Sequence, residues 1–193
     1  MIKKEIRILG IDDGPFSRNQ KEVIVVGVVI RGNSWIDGIL RTYVKVDGLD
    51  ATKKIAEMVN KSNHKKQLKV VMLDGITLGG FNLVDIKELH EKIELPIIVI
   101  NRKMPDLKKV REALEKHFKD FKKRWKIIQN AGEIKKFISI KNKPIFYQVV
   151  GMDDEKAKEI INLSIGKSDI PEALRIAHLI ATGIVLGESR GRA

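Results

Sequence analysis

The order of apolar runs along the chain limits the folds that this sequence can adopt. Three runs rich in valine and isoleucine, at residues 5–12, 21–32 and 38–48, follow one another without a helical pattern between them. Short β-branched runs separated by polar or glycine-bearing turns are typical of an antiparallel meander. After residue 50 the pattern alternates between helix and strand, so we expect the later strands to be reached by right-handed crossover connections.

Two helix–strand pairs make up this alternating part. A helix behind Asp50, a residue type that caps helices, precedes the strand QLKVVMLD, and a second helix starting from Asn82 precedes the strand LPIIVIN. The predicted fold class is therefore α/β. We expect a mixed five-stranded sheet, with three antiparallel strands followed by two parallel strands, and helices on both faces.

The rest of the chain is mainly helical. Residues 104–131 predict a long helical stretch with a break, residues 135–150 predict one short hairpin, and two further helices are expected at 153–165 and 171–185. No repeat, low-complexity segment or linker interrupts the pattern. We therefore expect residues 1–193 to form a single domain.

Composition excludes several classes of protein and favours one class of partner. The chain has no cysteine, which rules out a disulfide scaffold, a thiolate zinc site and a cysteine nucleophile. The start of the chain is charged and no apolar run approaches the roughly 20 residues of a membrane helix, so we expect a cytoplasmic protein without membrane contact.

The net charge of +12 and the pI near 9.8 favour nucleic acid as a partner. A well-solvated, thermostable surface is the alternative, because many lysines alternate with glutamates on predicted helices. The sequence is also compatible with a homodimer.

Two predicted strands end in carboxylates, in LGIDDG and in VMLDG. If the first and fourth strands are parallel neighbours, Asp12 and Asp74 face one crevice at the switch point of the sheet. Two close carboxylates repel each other unless a proton or a cation lies between them, and oxygen ligands suit Mg²⁺ or Mn²⁺. Asp13 adds a second acidic group at the end of the first strand, where burial is costly unless the charge is used.

Asp47 and Asp50 close the third strand and open the following helix, so both are further candidates for the metal site. Simpler roles remain open for them. Asp50 is in the position of a helix cap, and Asp47 precedes a glycine, as turn residues often do.

A strand ending in GID, a later LDG followed by glycines, the strand LPIIVI and the late helix PEALRIAHLIA resemble the endonuclease V superfamily, and the runs VDGLDAT, LDGITLGGFNLVDI and PEALRIAHLIA with the terminal GESRGRA are specific to one family related to it. More closely, the chain resembles an uncharacterised, mostly archaeal family, domain of unknown function 99, of the UPF0215 type. The resemblance covers nearly the whole chain and implies a ribonuclease-H-like fold. It places two metal-binding aspartates on Asp12 and Asp74.

The sequence also departs from the pattern of endonuclease V. The glutamate between the two aspartates has no match, so Asp47 or Asp50 is only a positional substitute, and TLGGF replaces a His-Pro-Arg motif. A lysine after the next strand falls near Arg102 and Lys103. A late histidine falls near Met152 or Asp153, which makes Asp153 a further candidate metal ligand.

The glycines of GITLGGFN indicate either an anion-binding loop or a tight strand-to-helix turn. No Lys-Ser/Thr follows them, so a Walker loop is excluded. The backbone N–H groups of Gly75, Gly79 and Gly80 could still approach an anion.

Several other side chains are candidates for contact with nucleic acid. Trp35, on a hairpin tip, could act as a wedge or stacking platform, or make a dimer contact. His178 lies in an apolar helical stripe and is interpreted as a hydrogen-bonded core histidine. The basic run KDFKKRWK could track a phosphate backbone or be an amphipathic helix with its aromatic residues inward. The predicted nucleic-acid-binding residues are Trp35, Arg102, Lys103, Arg175, Arg190 and Arg192.

These features lead to two functional hypotheses. The first is a Mg²⁺- or Mn²⁺-dependent nuclease or phosphodiester hydrolase acting on nucleic acid, with Asp12, Asp74 and Asp47 as the catalytic carboxylates. The second is a catalytically inert module on the same fold that binds nucleic acid or a protein.

Overall fold

The structure is a computed structural model that describes residues 2, 4–17 and 19–189. Its centre is a sheet of seven strands with helices on both faces. In chain order the elements are β1 (Arg7–Asp13), β2 (Glu22–Arg31), β3 (Trp35–Lys45), α1 (Ala51–Asn60), β4 (Val70–Asp74), β5 (Thr77–Leu78), β6 (Asn82–Leu83), α2 (Ile86–Ile93), β7 (Ile97–Asn101), α3 (Leu107–His117), α4 (Phe121–Asn130), β8 (Lys135–Ile138), β9 (Pro144–Val150), α5 (Asp154–Ser164) and α6 (Glu172–Leu186).

The sheet confirms the predicted meander and crossovers, but it has seven strands where five were predicted. Its order is β3-β2-β1-β4-β7-β9-β8, with β1, β4 and β7 parallel. The two extra strands come from the predicted hairpin at residues 135–150, because β9 pairs antiparallel with β7 and extends the sheet. A lone hairpin is marginally stable in water. Pairing of β9 with β7 stabilises the hairpin, because its apolar side chains are then buried in the larger sheet.

Alternate residues of β1 face two different helix layers. Leu9 and Ile11 pack with α1 and α2 on one face, whereas Ile8 packs with α5 and α6 on the other. Helix α6 runs close against β1, because a Cβ atom placed on Gly10 would lie 2.5 Å from Ala173. Asp12 shares the Gly10 face of the strand and therefore points towards α6.

The helix starts near residues 50 and 82 differ from the sequence prediction. Asn82 lies in the small β5–β6 hairpin, and α2 begins four residues later behind Asp85, whose carboxylate accepts two backbone N–H groups of the first turn. Asp50 precedes α1 but makes no capping hydrogen bond. Instead Asn82 accepts from the Ala51 N–H and donates to Asp50, so the two loops are joined by side chains.

The predicted break in the long helical stretch separates α3 from α4. Phe118, Phe121 and Trp125 pack around the buried Leu114 and Ile128, as expected for amphipathic helices. Within the described residues, no helix combines the length and apolar character needed to cross a membrane.

Candidate functional site

A cleft of about 570 Å³ opens at the edge of the sheet that is formed by the carboxyl-terminal ends of its parallel strands, beside β1 and β4. Ile11 pairs with Leu73, so the next residue of each strand, Asp12 and Asp74, reaches the same edge. Open α/β sheets bind ligands at this edge. The polar side chains that line the cleft are Asp12, Asp13, Asp74, Arg102, His178 and Thr182.

Asp12 is the most buried carboxylate of the cleft, with 6% of its surface exposed. Its Oδ2 lies 2.9 Å from Nδ1 of His178, and its Oδ1 accepts the N–H of Asp13. Burial raises the pKa of Asp12 to about 8, and the negative charges of Asp74 and Asp13 add to this effect. The site therefore concentrates negative charge that a bound cation would offset.

Asp13 points to the other face of β1 and is held by the glycine loop, residues 75–81 after β4. Its Oδ2 accepts the N–H of Gly79 at 2.6 Å, and burial raises the pKa of this carboxyl as well. Gly75 donates its N–H to Ile100 as part of the strand pairing. The Gly79 N–H, which the sequence predicted to approach an anion, thus binds a carboxylate of the chain itself, and this contact positions Asp13.

Asp74 is half-buried and faces Arg102, which follows β7. Their side chains form an ion pair at 3.3 Å between Oδ2 and Nη2. The positive charge of Arg102 also acts on Asp12, whose pKa it lowers in part. Lys103 is exposed beside Arg102 and does not line the cleft. The cleft thus combines three carboxylates with the guanidinium group of Arg102, a group that can bind a phosphate.

His178, which its apolar helical stripe predicted to be a core histidine, lines the cleft. It projects from α6 towards Asp12, and Thr182 lines the cleft one turn later. Asp153, near which the resemblance placed a late histidine, caps α5 through the Lys156 N–H and does not line the cleft. The sequence does place His178 and Thr182 four residues apart in an otherwise apolar stretch, residues 176–186, so both side chains share one face of the helix.

Three of the predicted oxygen ligands lie outside the cleft. Asp47 adopts a left-handed turn conformation, with φ of 54°, and accepts the N–H of Phe81. Asp50 bonds to Asn82, and Asp153 caps α5. Each carboxylate satisfies local backbone or side-chain donors. Across residues 2, 4–17 and 19–189, no group of three or more His, Asp or Glu side chains is arranged to hold a metal ion.

The structure also separates the predicted nucleic-acid contacts. Trp35 is 65% exposed and begins β3, where it pairs with Arg31 at the end of β2. The start of β1 lies beside Arg31, so Trp35 and the cleft lie at opposite ends of the strands, and Trp35 cannot act as a wedge in the cleft. Arg175 does not line the cleft and pairs with Glu172 at 2.6 Å. Arg190 and Arg192 lie outside the described residues.

Comparison with solved structures defines the class of fold. A crystal structure of a protein of unknown function from Archaeoglobus fulgidus matches with a TM-score of 0.84 and 38% identity, over 93% of this chain and 98% of that one. Endonuclease V from Ciona intestinalis, crystallised with DNA containing an inosine followed by a ribo-adenosine, matches with a TM-score of 0.58 and 14% identity, over 89% of this chain and 81% of that one. The fold is therefore ribonuclease-H-like, of the endonuclease V type.

The sequence comparison then gives the family. Residues 4–185 match the model of a family described as endonuclease dU, and the chain belongs to that family. A UPF0215 protein from Methanothermobacter thermautotrophicus is 53% identical over 193 residues, which cover 100% of this chain and 94% of that protein.

Proposed function

We propose that this chain is a divalent-metal-dependent endonuclease that cleaves DNA containing deoxyuridine. The observation that carries the proposal is the meeting of Asp12, Asp74 and His178 in one cleft at the ends of two parallel strands. The description of the family as endonuclease dU supports the choice of substrate. The net charge of +12 supports a polyanionic partner.

The chemistry of the donor set fits Mg²⁺ or Mn²⁺ held by two carboxylates. Magnesium in proteins commonly binds one or two carboxylates together with waters and substrate phosphate oxygens, so a cluster of three protein ligands is not required. Asp12 and Asp74 supply hard oxygen ligands, and a cation bound to them would offset the burial and the like charges that raise the pKa of Asp12. When bound, such an ion polarises a phosphate ester and lowers the pKa of a bound water.

His178 and Arg102 supply the remaining chemistry of the cleft. The contact of His178 Nδ1 with Asp12 orients the imidazole ring, which leaves Nε2 to exchange a proton with water or with a leaving oxygen. Arg102 lies where it can exchange its contact with Asp74 for a phosphate oxygen of the strand. The chain therefore holds, orients and neutralises the phosphate that is cleaved.

A strand-cleavage assay tests this proposal. Labelled duplex DNA with one deoxyuridine, incubated with Mg²⁺ or Mn²⁺, should be cut by the wild type and by the control Asp153→Asn, whose carboxylate lies outside the cleft. Asp74→Asn should remove cleavage. Tight binding of the DNA without cleavage by the wild type would contradict the proposal and indicate a non-catalytic module.

A further inference from the structure

We propose that a second cavity beside the cleft binds a phosphate group of the same nucleic-acid strand, next to the phosphate that is cleaved. This inference rests on the proposed function, because it extends the path of the substrate. The cavity has a volume of about 630 Å³, within the range of ordinary ligand sites.

The cavity lies at the same edge of the sheet as the cleft. Strand β9 is antiparallel to β7, and Asn101 pairs with Phe146, so β9 begins where β7 ends. Lys143 and Pro144 at that start form one wall, and residues 167–170, between α5 and α6, form another. Arg102 lines both the cavity and the cleft. A strand bound in the cleft can therefore continue past Arg102 into the cavity.

The rim of the cavity is cationic. Lys143 and Lys167 are exposed and both line the cavity, together with the acidic side chain of Asp169. Within the part of the chain that the structure describes, neither lysine makes an ion pair, so neither must give up a protein carboxylate to bind phosphate. Two such ammonium groups facing one space favour an anion.

The floor of the cavity is apolar. Ile100, Ile145 and Ile170 are buried beneath it, with 1%, 2% and 6% of their surfaces exposed. The buried isoleucines therefore close the cavity from below, and the cationic rim is the part that contacts a phosphate group of the strand.

Binding of single-stranded DNA tests the cavity separately from catalysis. The probes are labelled strands with one deoxyuridine, lengthened one nucleotide at a time on each side and measured in chelator so that cleavage does not interfere. The test variant is Lys143→Ala/Lys167→Ala. The matched control is Lys66→Ala/Lys69→Ala, which removes two exposed lysines near the start of β4, at the opposite edge of the sheet.

We expect the cavity variant to bind the longer strands about tenfold more weakly than the wild type, and to lose about 0.7 from the salt slope for each phosphate contact removed. Its affinity for the shortest strands should be unchanged. The control should match the wild type throughout, and the thermal midpoints of both variants should be unchanged, since surface substitutions rarely affect stability.

Three results would overturn the inference. These are equal losses in the cavity variant and the control, no loss in either, or competition by a free deoxynucleoside monophosphate as strong as that by the long strand. Failure of the proposed function looks different. In that case no Mg²⁺-dependent cleavage occurs, although the longer strands still depend on Lys143 and Lys167.

Discussion

At the scale of residues, the carboxylates of the cleft differ in their neighbours. Asp12 is buried against His178, Asp13 is held by the N–H of Gly79, and Asp74 faces Arg102. Burial and like charge raise the pKa of Asp12, which is typical of functional rather than structural carboxylates. The positions of Asp12 and Asp74 could be predicted from the ends of their strands. The contact of Asp12 with His178 could not, since it depends on the packing of α6.

His178→Gln should slow cleavage of deoxyuridine-containing DNA by about 10²- to 10⁴-fold. Glutamine can still donate a hydrogen bond to Asp12, but it cannot exchange a proton. The single-turnover rate at saturating DNA is the measurement, and His117→Gln, an exposed change at the end of α3, is the control. Equal rates for His178→Gln and the wild type would exclude His178 from proton transfer.

Asp37 provides a pH-dependent contribution to stability at the edge opposite the cleft. It accepts hydrogen bonds from Arg31 and Arg7 at 2.7 and 2.8 Å. The hydrogen bond from Arg31 is the main cause that lowers the pKa of Asp37 from 3.8 to about 2. A lowered pKa means that the carboxylate stabilises the fold above pH 3.8 and that this contribution is lost as the pH falls through about 2.

Asp37→Asn should therefore reduce the free energy of unfolding at neutral pH, and the difference from the wild type should shrink as the pH falls towards 2. Urea denaturation at the two pH values measures it. Asp169→Asn, an exposed carboxylate without an ion pair in the described part of the chain, should show no such change. A difference that stays constant with pH would contradict the role of the Asp37 charge.

At the scale of elements, the glycine loop between β4 and α2 is fixed by its surroundings. Arg124 of α4 is buried and donates to the carbonyl oxygens of Asp47, Gly48 and Phe81. Gly79 adopts a φ of +54°, and a Cβ atom there would lie 2.6 Å from Val23. Position 79 therefore needs glycine for both its backbone conformation and the space beside Val23. The Gly79 N–H binds Asp13, so the fixed loop also fixes the position of that carboxylate.

Comparing Gly79→Ala with Gly132→Ala separates these two requirements. Both glycines have positive φ, but no atom lies within 4 Å of a Cβ placed on Gly132 in the described structure. Gly132→Ala should cost about 1–2 kcal/mol from backbone strain alone. Gly79→Ala should cost about 1–3 kcal/mol more because of the added clash. Denaturant midpoints give the values, and equal costs would mean that Val23 moves aside freely.

At the scale of the whole molecule, strands β1, β2, β3, β4 and β7 could be predicted from the sequence because each is a short apolar run. The joining of β8 and β9 to the sheet could not be predicted, since Tyr147 of β9 becomes buried only by packing against residues far away in the chain, such as Ile100 of β7. The same limit applies to Asp50 and Asp153. Asp50 accepts a hydrogen bond from Asn82, 32 residues later, and Asp153 caps α5, and neither of these contacts could be predicted from the sequence.

The central claim is that Asp12 and Asp74 together form a site for a divalent cation. Calorimetric titration of the chelator-treated protein with Mn²⁺ tests it most directly. We expect binding by the wild type and by Asp153→Ala, and at least about tenfold weaker binding by Asp12→Ala and Asp74→Ala. Undiminished Mn²⁺ affinity in both cleft variants would contradict it.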